Sequence, residues 1–294
     1  MTPPRLTHHP GMTNEDYHAL DAISPSGIKL LKRSPLHYFD ARLAPDREPS
    51  ESTTGKRKGT GLHIAALEPE KWDATVIATP EDAPSRPTEK QLIEPTAKPG
   101  TKTHDEWKKA CDRRDWWQDF DNQSAGKLIL SPREIKDVRG MGAAIRGNPA
   151  AKLILDMDGL REASYTWSDE EFWLACKTRP DFHTLDRRIV ADLKSTADAS
   201  RDPFSRSISN FDYHVQTAWN LDALGAEIFL SIAVENTRPY AVAVYPASPE
   251  LIDAGRRRIR SAKETLADCI ASGKWPGYGD QILDSIDLPH WNKD

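Results

Sequence analysis

Arg179-Pro180-Asp181, ten intervening residues, then Asp192-Leu193-Lys194 place two carboxylates and a lysine in one short stretch. Ile189-Val190-Ala191-Asp192-Leu193-Lys194 reads as a strand, and side chains along a strand alternate faces. Asp192 and Lys194 therefore project together, while Leu193 turns the other way, into a core. Ahead of them, Glu171-Phe172-Trp173-Leu174-Ala175-Cys176-Lys177 reads as a second strand ending near Asp181. The Thr184-Leu185-Asp186-Arg187-Arg188 link is short enough for a hairpin. Pairing these two strands is expected to bring Asp181 beside Asp192.

Two carboxylates, completed by waters and a phosphate oxygen, suit magnesium or manganese better than zinc. An ion there would acidify a bound water and neutralise charge building on a phosphate, while Lys194 orients or deprotonates the attacking water. A surface ion pair worth roughly 0 to 1 kcal/mol has the same Asp-x-Lys pattern, and the chain is 29% charged. The residues alone leave both readings open.

Six elements in order widen the pattern. They are Ser24-Pro25-Ser26-Gly27-Ile28-Lys29 with Ser34-Pro35-Leu36-His37-Tyr38; Gly59-Thr60-Gly61-Leu62-His63 with Leu67-Glu68-Pro69; Arg161-Glu162-Ala163-Ser164; Pro180-Asp181; Asp192-Leu193-Lys194-Ser195-Thr196; and Tyr213-His214-Val215-Gln216. Together they resemble the PD-(D/E)xK nuclease superfamily, specifically the RecE-like (exonuclease VIII) branch of phage recombination exonucleases. The resemblance runs from about residue 14 to the C-terminal region.

The resemblance implies roles by position. His63, Asp181 and Asp192 would be metal ligands, Leu193 would lend its backbone carbonyl, and Lys194 would be the catalytic lysine. Gln216 would support the substrate strand or the water on the metal, from a helix lying against the site. Glu162 would support the ligands, and Tyr213, Ser195 and Thr196 would lie close by. The implied cofactor is Mg2+, with Mn2+ as a substitute. The implied activity is resection of linear double-stranded DNA from its 5′ ends, leaving 3′ single-stranded tails for a RecT-like annealing protein. A toroidal homo-oligomer encoded by a phage or prophage is the implied setting. From the residues themselves, His63 shares a helical face with Leu67, and Tyr213 and Gln216 fall on one side of a helix read from Phe204 to Leu224. The alternatives are an endonuclease or repair nuclease on the same core, or a DNA-end-binding module without turnover.

Composition sets limits on these readings. The 294 residues are enough for a real core. No apolar run approaches the roughly 18 residues of a membrane span, and the N-terminus lacks a signal peptide's apolar segment, so a cytoplasmic protein is expected. Cys111, Cys176 and Cys269 are odd in number and far apart, which argues against a disulfide framework, a zinc module and a four-cysteine iron-sulfur cluster. A net charge of −5 is unlike a DNA-binding protein. Basic residues nevertheless crowd two regions: Lys29 to Lys58 near the N-terminus, and Arg256, Arg257, Arg258, Arg260 and Lys263 near the C-terminus. Lys56-Arg57-Lys58, placed before a Gly59-Thr60-Gly61 turn and His63, is the expected DNA contact.

The expected fold is α/β (α+β), with a restriction-endonuclease-like core in which helices flank a mixed central sheet. Residues 1–22 read as an N-terminal arm and 23–294 as a single domain. Ser24 or Ser26 would cap a helix through Leu31, and Pro45 to Gly55 reads as a mobile loop. Strands are expected at Trp72 to Ala78, Glu162 to Trp167, Glu227 to Val234 and Tyr240 to Tyr245. Helices are expected at Asp105 to Phe120, Pro132 to Ile145 and Pro249 to Ser272, with an irregular excursion at about 79–103.

Overall fold

A computed structural model describes residues 3–47, 53–279, 282–283 and 285–287. Its strands are β1 (Thr7–His9), β2 (Val76–Ala78), β3 (Leu128–Leu130), β4 (Gly159–Arg161), β5 (Ser164–Asp169), β6 (Leu174–Thr178), β7 (Phe182–Thr184), β8 (Ile189–Thr196), β9 (Ile228–Glu235) and β10 (Val242–Pro246). The first six helices are α1 (Asn14–Ala19), α2 (Pro25–Arg33), α3 (Pro35–Arg42), α4 (Thr54–Leu67), α5 (Trp72–Thr75) and α6 (Glu89–Leu92). The remainder are α7 (Lys102–Gln123), α8 (Pro132–Gly147), α9 (Pro149–Leu155), α10 (Arg201–Asn210), α11 (Tyr213–Leu224) and α12 (Pro249–Ser272).

The central sheet has the order β10-β9-β8-β7-β4 and is mixed: β8 and β9 run parallel, and the other pairs are antiparallel. The β8 to β9 connection is the helical crossover α10–α11, as parallel neighbours require. A second sheet, β1-β5-β6, is antiparallel, and β2 and β3 form a parallel pair.

Alternation along β8 sorts its residues between two helical layers. Ala191 and Leu193 join Leu62 and Ala65 of α4 and Val138 and Met141 of α8 in one buried cluster. Val190 faces the other way, with Leu221 and Leu224 of α11, so Asp192 and Lys194 share the α11 side. Two glycines let the helices approach closely. A Cβ at Gly142 would lie 2.9 Å from Ala65 Cβ, between α8 and α4, and one at Gly255 would lie 2.7 Å from Ala218 Cβ, between α12 and α11. These contacts set the height of the helices that carry His63 and Gln216.

Several expected elements differ. The hairpin into β8 forms across the Thr184 to Arg188 link, but its partner is β7 rather than the strand containing Cys176. Glu171, Phe172 and Trp173 make a turn, and β6 pairs with β5 in the second sheet. The helix read from Phe204 to Leu224 is two helices, broken at Phe211 and Asp212. Trp72 to Ala78 is a helical turn followed by the short β2. The 79–103 excursion contains α6 and ends in the first residues of α7. Residues 3–22 are not a loose arm: β1 pairs with β5, and Tyr17 of α1 is buried. Gly59-Thr60-Gly61 is helical, within α4. Of the loop expected at Pro45 to Gly55, residues 48–52 lie outside the described residues, and Thr54 and Gly55 already belong to α4.

Candidate active site

Strand register brings three carboxylates into one row. Phe182 pairs with Ala191, so Asp181, one residue earlier, stands beside Asp192. Arg161 pairs with Phe182 on the other side, and the Glu162 N–H donates to the Asp181 carbonyl at 3.0 Å. Glu162 follows β4 in a left-handed conformation (φ 49°) rather than starting a strand.

His63 comes to this row from α4. Its Nδ1 lies 2.8 Å from Glu162 Oε1 and its Nε2 lies 3.5 Å from Asp181 Oδ2. One donor atom from each of His63, Glu162 and Asp181 lies within 4.8 Å of the others. Asp181 Oδ2 also accepts the Leu193 N–H at 2.6 Å, which fixes the carboxylate in its plane. Leu193 thus contributes its amide to the site, and its side chain lies in the core.

Asp192 adjoins the trio and turns toward a second group. Its Oδ1 accepts from Gln216 Nε2 at 2.7 Å, and Gln216 Oε1 accepts from Lys194 Nζ at 3.0 Å. Lys194 Nζ is in ion-pair contact with Asp192 Oδ2. That fully buried oxygen accepts no hydrogen bond of regular geometry. The Tyr213 ring lies beneath Lys194 Nζ, 4.8 Å from ring centroid to nitrogen. Asp192 is 0% exposed, which removes the surface ion-pair reading.

Electrostatics follow from this crowding. Burial, then the Asp181 charge, raises Asp192 to about 6. Burial also pushes Asp181 up, against the pull of His63. For His63, burial disfavours protonation, but the Asp181 charge and the hydrogen bond to Glu162 outweigh it and raise the imidazole to about 9. Burial likewise lowers Lys194, and Asp192 and Asp181 more than reverse that, so the ammonium stays above its ordinary value. Clustered acids raised by one another are what a divalent cation relieves. One imidazole among carboxylate oxygens is a donor set that can hold a divalent cation.

The residues around this centre make further intramolecular contacts. Thr196 Oγ1 donates to the Asp198 carbonyl, and Ser195 is exposed on the far face of β8. Arg179 donates to Ser164 Oγ and to the Met12 and Thr13 carbonyls, pinning the N-terminal segment. Within Lys56-Arg57-Lys58, Lys58 pairs with Asp137 at 3.0 Å and Arg57 with Glu134 at 3.5 Å, both on α8. In the C-terminal cluster, Arg256, Arg260 and Lys263 pair with Asp222, Glu171 and Asp169 respectively. Lys29 is the residue that sequence reasoning gave no place at the centre. Its Nζ lies 5.5 Å from the same Tyr213 ring, and burial, then Lys194, lowers its pKa.

A mixed sheet that presents Asp181, Asp192 and Lys194 from one hairpin is the PD-(D/E)xK nuclease fold. The sequence matches the family described as a PDDEXK-like domain of unknown function (DUF3799) over residues 24–284, and the chain belongs to that family. No curated protein matches it. Among solved structures, a candidate exonuclease from Eubacterium rectale is 13% identical, with a TM-score of 0.57 over 94% of this chain and 96% of that one. That likeness shows the fold. A phage-related exonuclease from Haemophilus somnus 129PT is 12% identical over 63% of this chain and 94% of that one, and its TM-score of 0.32 carries no argument.

Proposed function

We propose that the protein is a Mg2+-dependent exodeoxyribonuclease, active also with Mn2+, that resects linear double-stranded DNA from its 5′ ends and leaves 3′ tails. One observation carries the reading: a hydrogen-bonded Asp192–Gln216–Lys194 chain, buried at Asp192, abuts the His63, Glu162 and Asp181 donors. His63, Glu162 and Asp181, with Asp192 adjoining, would hold the ion, which supplies Lewis-acid stabilisation of charge on a phosphate. Gln216 donates to Asp192 and accepts from Lys194, so it fixes both groups in relation to each other. Lys194 Nζ presents its protons to the attacking water or to a phosphate oxygen. The Tyr213 ring covers the other side of that ammonium and limits its hydration.

Digestion polarity, a toroidal homo-oligomer, a RecT-like annealing partner and a cytoplasmic, phage-encoded setting complete the proposal by resemblance. Among the described residues, no helix is long and apolar enough to cross a membrane. The test is incubation with Mg2+ of linear duplex labelled at either end, beside closed circular duplex. Early release of the 5′ label with the circle intact is expected. Equal attack on the circle sinks the exonuclease reading in favour of an endonuclease on the same core.

A further inference from the structure

The break between α10 and α11 does something that the reaction centre alone does not require. Asp212 adopts φ 54°, ψ 37°, the left-handed region, although it is not glycine. Outside glycine this conformation is uncommon and persists where the surroundings hold it. Asp212 also makes no side-chain cap to α11. Its carboxylate instead takes two hydrogen bonds from Lys32 Nζ of α2, at 2.9 and 3.1 Å. The junction is thereby tied to α2.

The consequence falls on Phe211. In an unbroken helix its spacing would place it in the apolar stripe with Val215 and Ala218. At the break it is 56% exposed and belongs to none of the four buried clusters. Its ring stacks on Tyr213, with centroids 5.6 Å apart and planes at 27°. Lys194 Nζ and Lys29 Nζ both lie over that Tyr213 ring, at 4.8 and 5.5 Å. Two stacked rings thus lead from the reaction centre to solvent, with cations at the inner end and an open aromatic face at the outer end.

We infer that Phe211 is a stacking platform for an unpaired nucleobase of the strand being cut, next to the phosphate held at the centre. The chemistry selects that occupant. A flat aromatic face stacks any base, and the adjacent ammonium groups complement the phosphodiester that joins it to the next nucleotide. A base still paired and stacked within duplex has no free face to offer, so the platform takes a nucleotide separated from its complement. The inference rests on the nuclease reading and names a subsite of that centre.

The test is binding of a fluorescent single-stranded oligonucleotide in EDTA, with one abasic position moved along the strand, together with KM and kcat on duplex in Mg2+. For the wild type, one abasic position is expected to weaken binding on the order of tenfold. Phe211→Ala is expected to bind intact strand about tenfold more weakly and to lose that position dependence, with KM rising more than kcat falls; Phe211→Trp restores both. Overturning results are unchanged binding and KM in Phe211→Ala, or a shift in its sedimentation, which would make Phe211 a subunit contact. If wild type and Phe211→Ala cleave alike with Mg2+, the nuclease reading stands and the platform fails. If the wild type neither binds nor cleaves DNA, both fail.

Discussion

Lys177, buried, and Lys194, half-buried, sit on neighbouring stretches of chain and are held in opposite ways. Lys177 is 2% exposed, and its Nζ donates to three backbone carbonyls, those of Tyr17, His18 and Leu20, at 2.8, 3.3 and 2.8 Å. Three donors meet three acceptors that cannot move without unfolding α1, so this ammonium is a clasp. Lys194 is held by the side chains of Asp192 and Gln216, over an aromatic ring. Side-chain partners can release their donors to a phosphate or water at the cost of a rotamer change. The kind of acceptor separates a structural lysine from a reactive one here, and the partial exposure of Lys194 goes with it.

The contrast breaks most visibly at the acids. Asp181→Asn is expected to lower Mg2+-dependent cleavage on the order of 10³-fold, measured on end-labelled duplex. Its melting temperature is expected to be unchanged or raised, because burial already disfavours the Asp181 carboxylate. Lys177→Met is expected to do the reverse, losing about 1–3 kcal/mol of stability in urea as carbonyls are left without donors. Its cleavage per folded molecule should match wild type.

Metal sharpens the difference. His63→Ala is expected to weaken Mn2+ binding on the order of tenfold, about 1.4 kcal/mol, seen as a smaller rise in melting temperature on adding the ion. Lys177→Met is expected to leave that rise intact.

A further difference comes from pH. Burial, then Arg42, lowers Lys177 to about 8, below the ordinary lysine value of 10.5. Between those values the unfolded chain binds more protons than the folded one, so the Lys177 contribution to stability rises with pH. Unfolding free energy is therefore expected to climb more steeply from pH 8 to 10.5 in wild type than in Lys177→Met. The smallest effect is expected at the C-terminal cluster. Arg256→Ala, already paired with Asp222, should change DNA affinity by less than about 1 kcal/mol in an anisotropy titration.

Much of the centre was legible because strand alternation is local. Asp192, Leu193 and Lys194 sort onto their faces from a period of two, and the hairpin link delivers Asp181. Tyr213 and Gln216 share a helix face for the same kind of reason, and Pro249 to Ser272 carries its own cap and periodicity. Glu162 was harder to place beside His63, because β4 is three residues long and its pairing with β7 is set by tertiary contact. The break at Phe211 and Asp212 was hidden too. Ser209, Asn210 and Asp212 give only a weak local signal against a continuous helix, and the Lys32 contact that holds the junction comes from 180 positions away. The partners of the basic runs were hidden because charge composition says nothing of tertiary neighbours: α8 supplies Glu134 and Asp137 to Arg57 and Lys58.

The most direct measurement is single-turnover cleavage of linear duplex DNA by wild type and Lys194→Ala, in Mg2+ and again after EDTA. Wild type is expected to cleave only with the ion, and Lys194→Ala, still folded, to be slower by about 10²- to 10⁴-fold. Cleavage by Lys194→Ala at the wild-type rate, or wild-type cleavage that survives EDTA, would contradict a metal-dependent centre built around Lys194.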